Sequence, residues 1–413
     1  MDQEFVTKLI LGGKYYTIDD LRHNKKIGIM LSREEFEEFL AIKDTLVSKQ
    51  DALTVALPLK SFNSKYIFYV NGFYLCSLCH DYLRILLDDY DMNSNLLFMR
   101  HAETMAISRF YSEIEGTLNI ENVPTTRQRI AEIHKQNDPK DENDIIVRNM
   151  IQAVRFIKDE KPAFNKENLR KLYSILSQGC LPEDKRLQDG AYYRQDRVYV
   201  GDYEGAPCEE IDACMDSLFY FANDPESIKE FDILFPYICH YYILYIHPYF
   251  DYNGRTARMV SFWLSFIHGI VAAPIFMSEA INETKGGYYR ALSNTRNTNN
   301  DLTYFLGYIL ETSIEYCFVY KNLEEIKKKL AETGDTLTGA EQEYVKKILV
   351  HSPENYFNYK MFLEYIHSKM SKQGALKVLN GLAAYGILEK SKNKKGDTIY
   401  RLTPGLIVYQ FNK

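Results

Sequence analysis

Within twelve residues the chain gathers an imidazole, a carboxylate, an amide, a glycine and two guanidiniums: His247-Pro-Tyr-Phe-Asp-Tyr-Asn-Gly-Arg-Thr-Ala-Arg258. A histidine titrates near neutrality, so His247 is suited to take a proton from an attacking hydroxyl. Gly254 allows close backbone approach and an unusual φ. The N–H groups of a tight turn and of a helix start attract anions. Arg255 and Arg258, spaced i and i+3, share a helix face and add positive charge for phosphates. Asp251 is suited to hold Mg2+ while the phosphates complete its shell. Taken one at a time these are ordinary residues of a surface loop between two core helices. Together they spell polyphosphate chemistry with a proton acceptor beside it.

Two elements must position that run. An apolar helix over about 230–246 ends at the imidazole, and a second, about 255–268, opens with the arginines and offers Met259, Phe262, Trp263 and Phe266 as a buried face. Further helices are predicted at about 144–158, 166–178, 208–223 and 301–320. FMRHAETMAISRFYSEIE (98–115) also reads as a helix, with Gly116 where a C-terminal cap belongs. The pattern changes at 190–201, where a β-rich stretch bounded by Gly190 and Gly201 reads as a hairpin turning near Gln195-Asp196. The middle of the chain is therefore expected to be mainly α, a helical bundle carrying one surface hairpin.

The run at 247–258 closely resembles the signature of the Fic (filamentation induced by cAMP) family, roughly His-Pro-Phe-x-Asp/Glu-Gly-Asn-Gly-Arg-x-x-Arg, at His247, Pro248, Asp251, Asn253, Gly254, Arg255 and Arg258. The likeness extends through about residues 100–315 and includes Ser278-Glu279-Ala-Ile281 and Tyr288-Tyr289. It implies a Fic-type helical bundle that transfers AMP from ATP to a Tyr, Thr or Ser hydroxyl of a protein. His247 would be the base and Asp251 the Mg2+ ligand. Asn253, Gly254 and Arg255 would hold the α- and β-phosphates and Arg258 the γ-phosphate. Tyr288 and Tyr289 would help form the adenine pocket. The hairpin 190–201 would be a flap that pairs with the protein target as an added strand, and a homodimer is common in the family. The family also has an inhibitory helix with the pattern Ser/Thr-x-x-x-Glu-Gly/Asn. Glu115-Gly116 resembles its end, although Tyr111 stands four before Glu115, so helix 98–116 is expected to present Glu115 to Arg258 as an internal brake. Tyr252 departs from the family's Gly, and a tyrosine at φ > 0 costs about 1–3 kcal/mol.

Composition bounds the rest. A chain of 413 residues with 46% hydrophobic and 26% charged residues is an ordinary folded protein of several domains. No apolar run reaches the roughly 18 residues of a membrane helix. The acidic start (Asp2, Glu4) is unlike a signal peptide and seven scattered cysteines do not form a disulfide framework, so a cytoplasmic protein without membrane contact is expected. The net charge of −6 is uneven, because residues 337–413 hold 12 Lys/Arg against 6 Asp/Glu. That segment opens with a capping box at Thr338-Gly-Ala-Glu341. Helices follow at about 357–369 and 372–384, then two strands around Lys390, Lys392, Lys394 and Lys395, which is the order of a winged helix-turn-helix domain. The expected division is 1–97 without an assigned role, 98–325 for the Fic core and 337–413 for the winged helix.

The winged helix leaves DNA as a partner and a second function open: a DNA-binding regulator whose core senses nucleotide without turning it over. A Fic enzyme that transfers another phosphate-containing group, or removes AMP, is a third. Cys76-Ser-Leu-Cys79-His80 matches a haem attachment pattern and Asp89-Tyr-Asp91-Met-Asn93 hints at a calcium loop, but the latter has Ser94 and Arg100 where an EF-hand needs Gly and Glu. His240, seven residues before His247, is read as core rather than as a metal ligand.

Overall fold

The computed structural model describes residues 3–23, 29–48, 53–88, 111–268, 277–353, 355–366 and 368–408. The chain divides into two compact units, Met1–Thr312 and Ser313–Lys413. It is mainly helical, with three small antiparallel two-stranded sheets among the described residues. No helix among those residues is long and apolar enough to cross a membrane.

In the first unit, α1 (Gln3–Leu11), α2 (Ile18–His23) and α3 (Arg33–Ser48) surround the pair β1 (Thr54–Ala56) and β2 (Phe68–Val70). Val6, Ile10, Leu21, Phe36, Phe39, Phe68 and Val70 close a core that includes Tyr304, far along the chain. Lys43 is buried in that core, where its ammonium donates to the Tyr15 hydroxyl at 2.8 Å and pairs with Asp301; a buried charge persists only when so partnered. Leu302 N donates to Phe68 O at 2.7 Å. The described residues up to 88 thus share a unit with the bundle. The Cys76–His80 run lies within α4 (Phe73–Asp88), and residues 89–100 of the calcium-like run lie outside the described residues.

The bundle comprises α5 (residues 111–120), α6 (Arg127–Gln136), α7 (Glu142–Arg155), α8 (Lys166–Ser177), α9 (Cys208–Asn223), α10 (Pro225–Phe231), α11 (Phe235–Ile246), α12 (Asn253–Ile267), α13 (Met277–Glu283), α14 (Lys285–Asn297) and the start of α15 (Thr303–Glu332). Every residue of α11 is buried, so it forms the central rod, and α12 packs along it with Met259, Val260, Trp263 and Leu264 buried. Phe266, expected inside, is 37% exposed, because the buried stripe turns toward 260 and 264.

Two further expectations change. The helix expected to end at Gly116 runs on to 120, and residues 98–110 of it are outside the described residues. The hairpin pairs β3 (Tyr199–Val200) with β4 (Tyr203–Glu204) around Gly201-Asp202, not around Gln195-Asp196. Gly201, at φ 60°, supplies the left-handed conformation the tight turn needs. Residues 190–198 are occupied otherwise, as described below.

In the second unit the later part of α15 supplies Val319, Leu323, Ile326 and Leu330 to a core shared with α16 (Gly339–His351), α17 (Tyr359–Tyr365), α18 (Lys372–Ala384) and the hairpin β5 (Leu388–Lys392)–β6 (Thr398–Leu402). Thr338 and Glu341 form the predicted capping box. Phe357 exchanges two 2.8 Å backbone hydrogen bonds with Tyr400, adding a third chain to the sheet.

Candidate functional site

The site lies where α11 stops. His247 caps the helix in the left-handed region, φ 55°, its N–H donating to Ile243 O at 2.9 Å. Its Nδ1 is buried with no hydrogen-bond partner among the described residues. Burial first, then the cations Arg296 and Arg194, push the imidazole down to about 4, so it is neutral, and able to accept a proton, across the physiological range.

Arg194, which sequence reasoning passed over, holds the histidine from behind. Its buried guanidinium donates to His247 O (2.8 Å), Asp196 O (2.6 Å) and Ala206 O (2.5 Å), while its backbone N–H reaches Pro248 O at 2.9 Å. These bonds keep 194–198 out of a strand and explain the late start of the hairpin. Gly205 is required beside it, since a Cβ there would lie 2.9 Å from His247 Cβ.

The loop after the histidine is braced from within. The Asn253 side chain accepts from Tyr249 N at 3.0 Å and donates to Tyr249 O at 2.8 Å, closing the turn. Tyr249 is fully buried, stacked on Tyr173 at 3.8 Å between centroids. Asn253 therefore acts on the loop's shape, its amide being spent on the backbone. Tyr252 does adopt a positive φ, 65°. Its ring is buried over the Arg255 guanidinium, with 3.4 Å from Cζ to the centroid. Arg255 itself is buried, and its Nε has no partner among the described residues. Asp251 is exposed and its Oδ1 lies 3.8 Å from Arg255. Among the described residues no three His, Cys, Asp or Glu side chains cluster as a metal site. A lone exposed carboxylate nevertheless fits Mg2+, which commonly takes one or two protein ligands and fills its shell with phosphate and water.

Glu115 does not reach Arg258. It accepts from Arg127 Nε at 2.8 Å, and Arg127 also donates to Glu279 Oε1 at 2.8 Å. Arg258 is instead held by Thr117, whose hydroxyl accepts from its Nε at 2.6 Å, and by an ion pair with Glu121. The reason is helical geometry: residues 115 and 117 are about 200° apart around α5, so the face that offers Thr117 to Arg258 turns Glu115 away. Glu121 follows the helix, in a turn closed by Glu121 N to Leu118 O at 3.1 Å. The legible signal was Thr117-Leu-Asn-Ile-Glu121-Asn122, which fits the Ser/Thr-x-x-x-Glu-Gly/Asn spacing that the Glu115 register misses.

Glu121 occupies the anion position of the loop. A Cβ on Gly254 would lie 2.7 Å from Glu121 Oε1, so the carboxylate rests against the first turn of α12, where the helix dipole favours a negative group. Burial alone would raise the Glu121 carboxyl, but Arg258, then Arg255 and Lys285, outweigh it and hold the group below its ordinary range. Arg258, Gly254 and the α12 N-terminus thus come together as predicted, with a carboxylate among them.

The two tyrosines divide. Tyr288 is buried, its hydroxyl against His240 Nε2 at 2.8 Å, and is a wall rather than an open face. His240 is fully buried. Tyr289 is 48% exposed, its ring 5.4 Å from that of Tyr288. Tyr203 of the hairpin lies under the Arg296 guanidinium at 3.6 Å, while Tyr199 and Val200 face solvent.

Residues 163–265 match the Fic/DOC family model. The chain is 34% identical over 70 residues to the protein adenylyltransferase Fic of Nematostella vectensis, covering 16% of each chain. It is 28% identical over 72 residues to the protein of the same name from Drosophila grimshawi, covering 17% of this chain and 15% of that one. These matches therefore span a small part of the relatives' length. Among solved structures, a Fic family protein from Desulfovibrio desulfuricans G20 aligns with a TM-score of 0.49 at 17% identity, over 82% of this chain and 97% of that one. Fic-1 from C. elegans (residues 134–508) aligns with a TM-score of 0.48 at 17% identity, over 69% and 77%. The loop at 247–258, all of α11 and nearly all of α12 fall inside the segment that matches the Fic/DOC family model.

Proposed function

We propose that the protein is an adenylyltransferase that moves AMP from ATP to a Tyr, Thr or Ser hydroxyl of a protein target, and that Glu121 keeps it off. The observation that carries this reading is a buried neutral imidazole beside a helix N-terminus whose anion position is filled by the protein's own carboxylate. With Glu121 withdrawn, Arg258 and the α12 N–H groups are free for phosphates. Arg255, with its orphan Nε, supplies a second cation. Asp251 would hold Mg2+ together with the phosphates, and the ion would supply positive charge for the pyrophosphate leaving group. His247 takes the target's hydroxyl proton as that oxygen bonds to the α-phosphorus, and the bond to the α,β-bridging oxygen breaks to release pyrophosphate.

The target is read as an extended segment beside β3, whose Tyr199 and Val200 face solvent. The second unit is read as a winged helix, on the strength of α16–α18 followed by β5–β6.

The test uses ATP labelled at the α-phosphate, with Mg2+. Glu121→Gly should retain label on protein at least tenfold above the unaltered chain, and the double variant with His247→Ala should retain none. ATP labelled at the γ-phosphate should leave none either. A second reading, a nucleotide sensor without turnover, is favoured by Tyr252. It would show as nucleotide raising the melting temperature of Glu121→Gly with no label retained, and that result would overturn the transferase.

A further inference from the structure

We propose that the lysine-bearing face formed by α18 and the β5–β6 hairpin binds double-stranded DNA, α18 entering the major groove and the hairpin lying along the phosphates. This does not depend on the transfer reaction, since no residue of the loop at 247–258 takes part.

Helix α18 has one buried stripe, Ala375, Leu379 and Leu382, all fully buried at i, i+4 and i+7. Its opposite side presents Gln373, Lys377 and Asn380, all exposed, and Lys372 is exposed at the start of the helix. The hairpin is fastened to that side. Asn380 Oδ1 accepts from Lys390 Nζ at 2.9 Å and from the Tyr400 hydroxyl at 3.1 Å. Lys390 and Tyr400 are cross-strand partners, so their side chains leave the sheet on the α18 side, as does that of Lys392 two residues on. The tip is shaped by Asn393, whose Oδ1 accepts from Lys395 N and Asp397 N at 2.9 Å each. Lys394 and Lys395 are exposed there.

The charge is strongly segregated. Residues 365–396 contain seven lysines and a single carboxylate, Glu389. That carboxylate is on the other side of the sheet, paired with Arg401 at 2.7 Å, and the neighbouring Asp397 accepts from Asn393 Nδ2 at 3.1 Å. Counting Asp397 as well, residues 365–397 keep seven lysines against two carboxylates, an excess of five positive charges. A protein partner would call for an apolar or aromatic anchor, and protein interfaces are depleted in lysine. The exposed side of α18 carries lysines and amides instead, with no exposed large apolar side chain among its described residues. Evenly spread lysines match a phosphate ladder. A helix about 10–12 Å across fits the roughly 12 Å major groove of B-DNA, whereas the deep, narrow major groove of duplex RNA excludes it.

The experiment is fluorescence anisotropy of the full chain with a labelled random-sequence DNA duplex, repeated from low to moderate KCl. Binding should weaken steeply with salt, with a log–log slope of about −4 to −6 if five to seven lysines each displace counterions. Lys392→Glu/Lys394→Glu/Lys395→Glu, all at exposed hairpin positions, should weaken binding at least tenfold and make the slope shallower by about 3, with an unchanged melting temperature showing that the fold survives. His247→Ala should bind as the unaltered chain does. The proposal is overturned by absence of micromolar binding at low salt, by binding that the triple variant retains, or by duplex RNA binding as tightly as duplex DNA.

Discussion

A tyrosine at φ 65° directly before the first turn of α12 holds a conformation that glycine adopts freely. The strain, about 1–3 kcal/mol, has a structural return: the ring lies flat on Arg255, 3.4 Å from Cζ to centroid, in a buried setting. A stacked, desolvated cation–π contact is worth about 1–2 kcal/mol, a factor of roughly 5–30. In the Glu121→Gly background, Tyr252→Gly should therefore raise the nucleotide KM about 5- to 30-fold with a smaller effect on kcat, and Tyr252→Phe should stay within about twofold. Steady-state kinetics at varied ATP separates the two, and equal losses in both variants would mean that the ring does not position the arginine. Most of this loop was legible in the sequence because its chemistry is contiguous, His247 to Arg258 lying in one turn and its flanks. Arg194 was not, because its bonds to the site are made to the backbone carbonyls of Ala206 and His247, 12 and 53 residues away.

At the scale of elements, the position of α5 decides where Glu121 falls. The helix docks on α13 by three means: the Glu113 carboxylate accepts from Ser278 N at 3.0 Å, Arg127 joins Glu115 to Glu279, and Gly116 touches the backbone at 278–279. Gly116 reads locally as a helix cap, and the likeness of Glu115-Gly116 to the end of the family's inhibitory pattern draws attention to a carboxylate six residues before Glu121. The actual role of Gly116 is close approach, a tertiary demand that no periodicity reveals. Glu113, fully enclosed, is pushed up to about 8 by burial, so it is mostly protonated at neutral pH and its docking draws a proton from solution. A Cβ at 116 would lie 2.6 Å from Glu279 N, too close for contact without movement. Gly116→Ala should displace α5 from α13 and draw Glu121 off Arg258 with both residues intact. The expected result is labelling several-fold above the unaltered chain and below Glu121→Gly; labelling no higher than that of the unaltered chain would show that α5 docking does not govern the brake.

For the whole molecule, the informative discrepancy is where the second unit begins. The capping box at Thr338–Glu341 places the start at 337, beyond the lysine-rich stretch 327–329. In the structure α15 runs through it, with Lys327 and Lys328 paired to Glu324 and Glu325 at 2.7 and 2.6 Å on the helix surface. Val319, Leu323, Ile326 and Leu330 point inward at helical spacing and are part of one core with Val345, Phe362, Leu379 and Tyr400. The amphipathic period was present in the sequence, but the surface lysines outweighed it. Burying four such aliphatic side chains contributes roughly 1.5–3 kcal/mol each, or about 6–12 kcal/mol together, which is comparable to the entire stability of a small domain. A fragment of residues 313–413 should therefore unfold cooperatively in urea, whereas one of residues 337–413 should show no cooperative transition and should bind a hydrophobic dye. If both fragments melted alike, α15 would be an appendage to this unit instead of its fourth helix, and the division at 337 would be the right one.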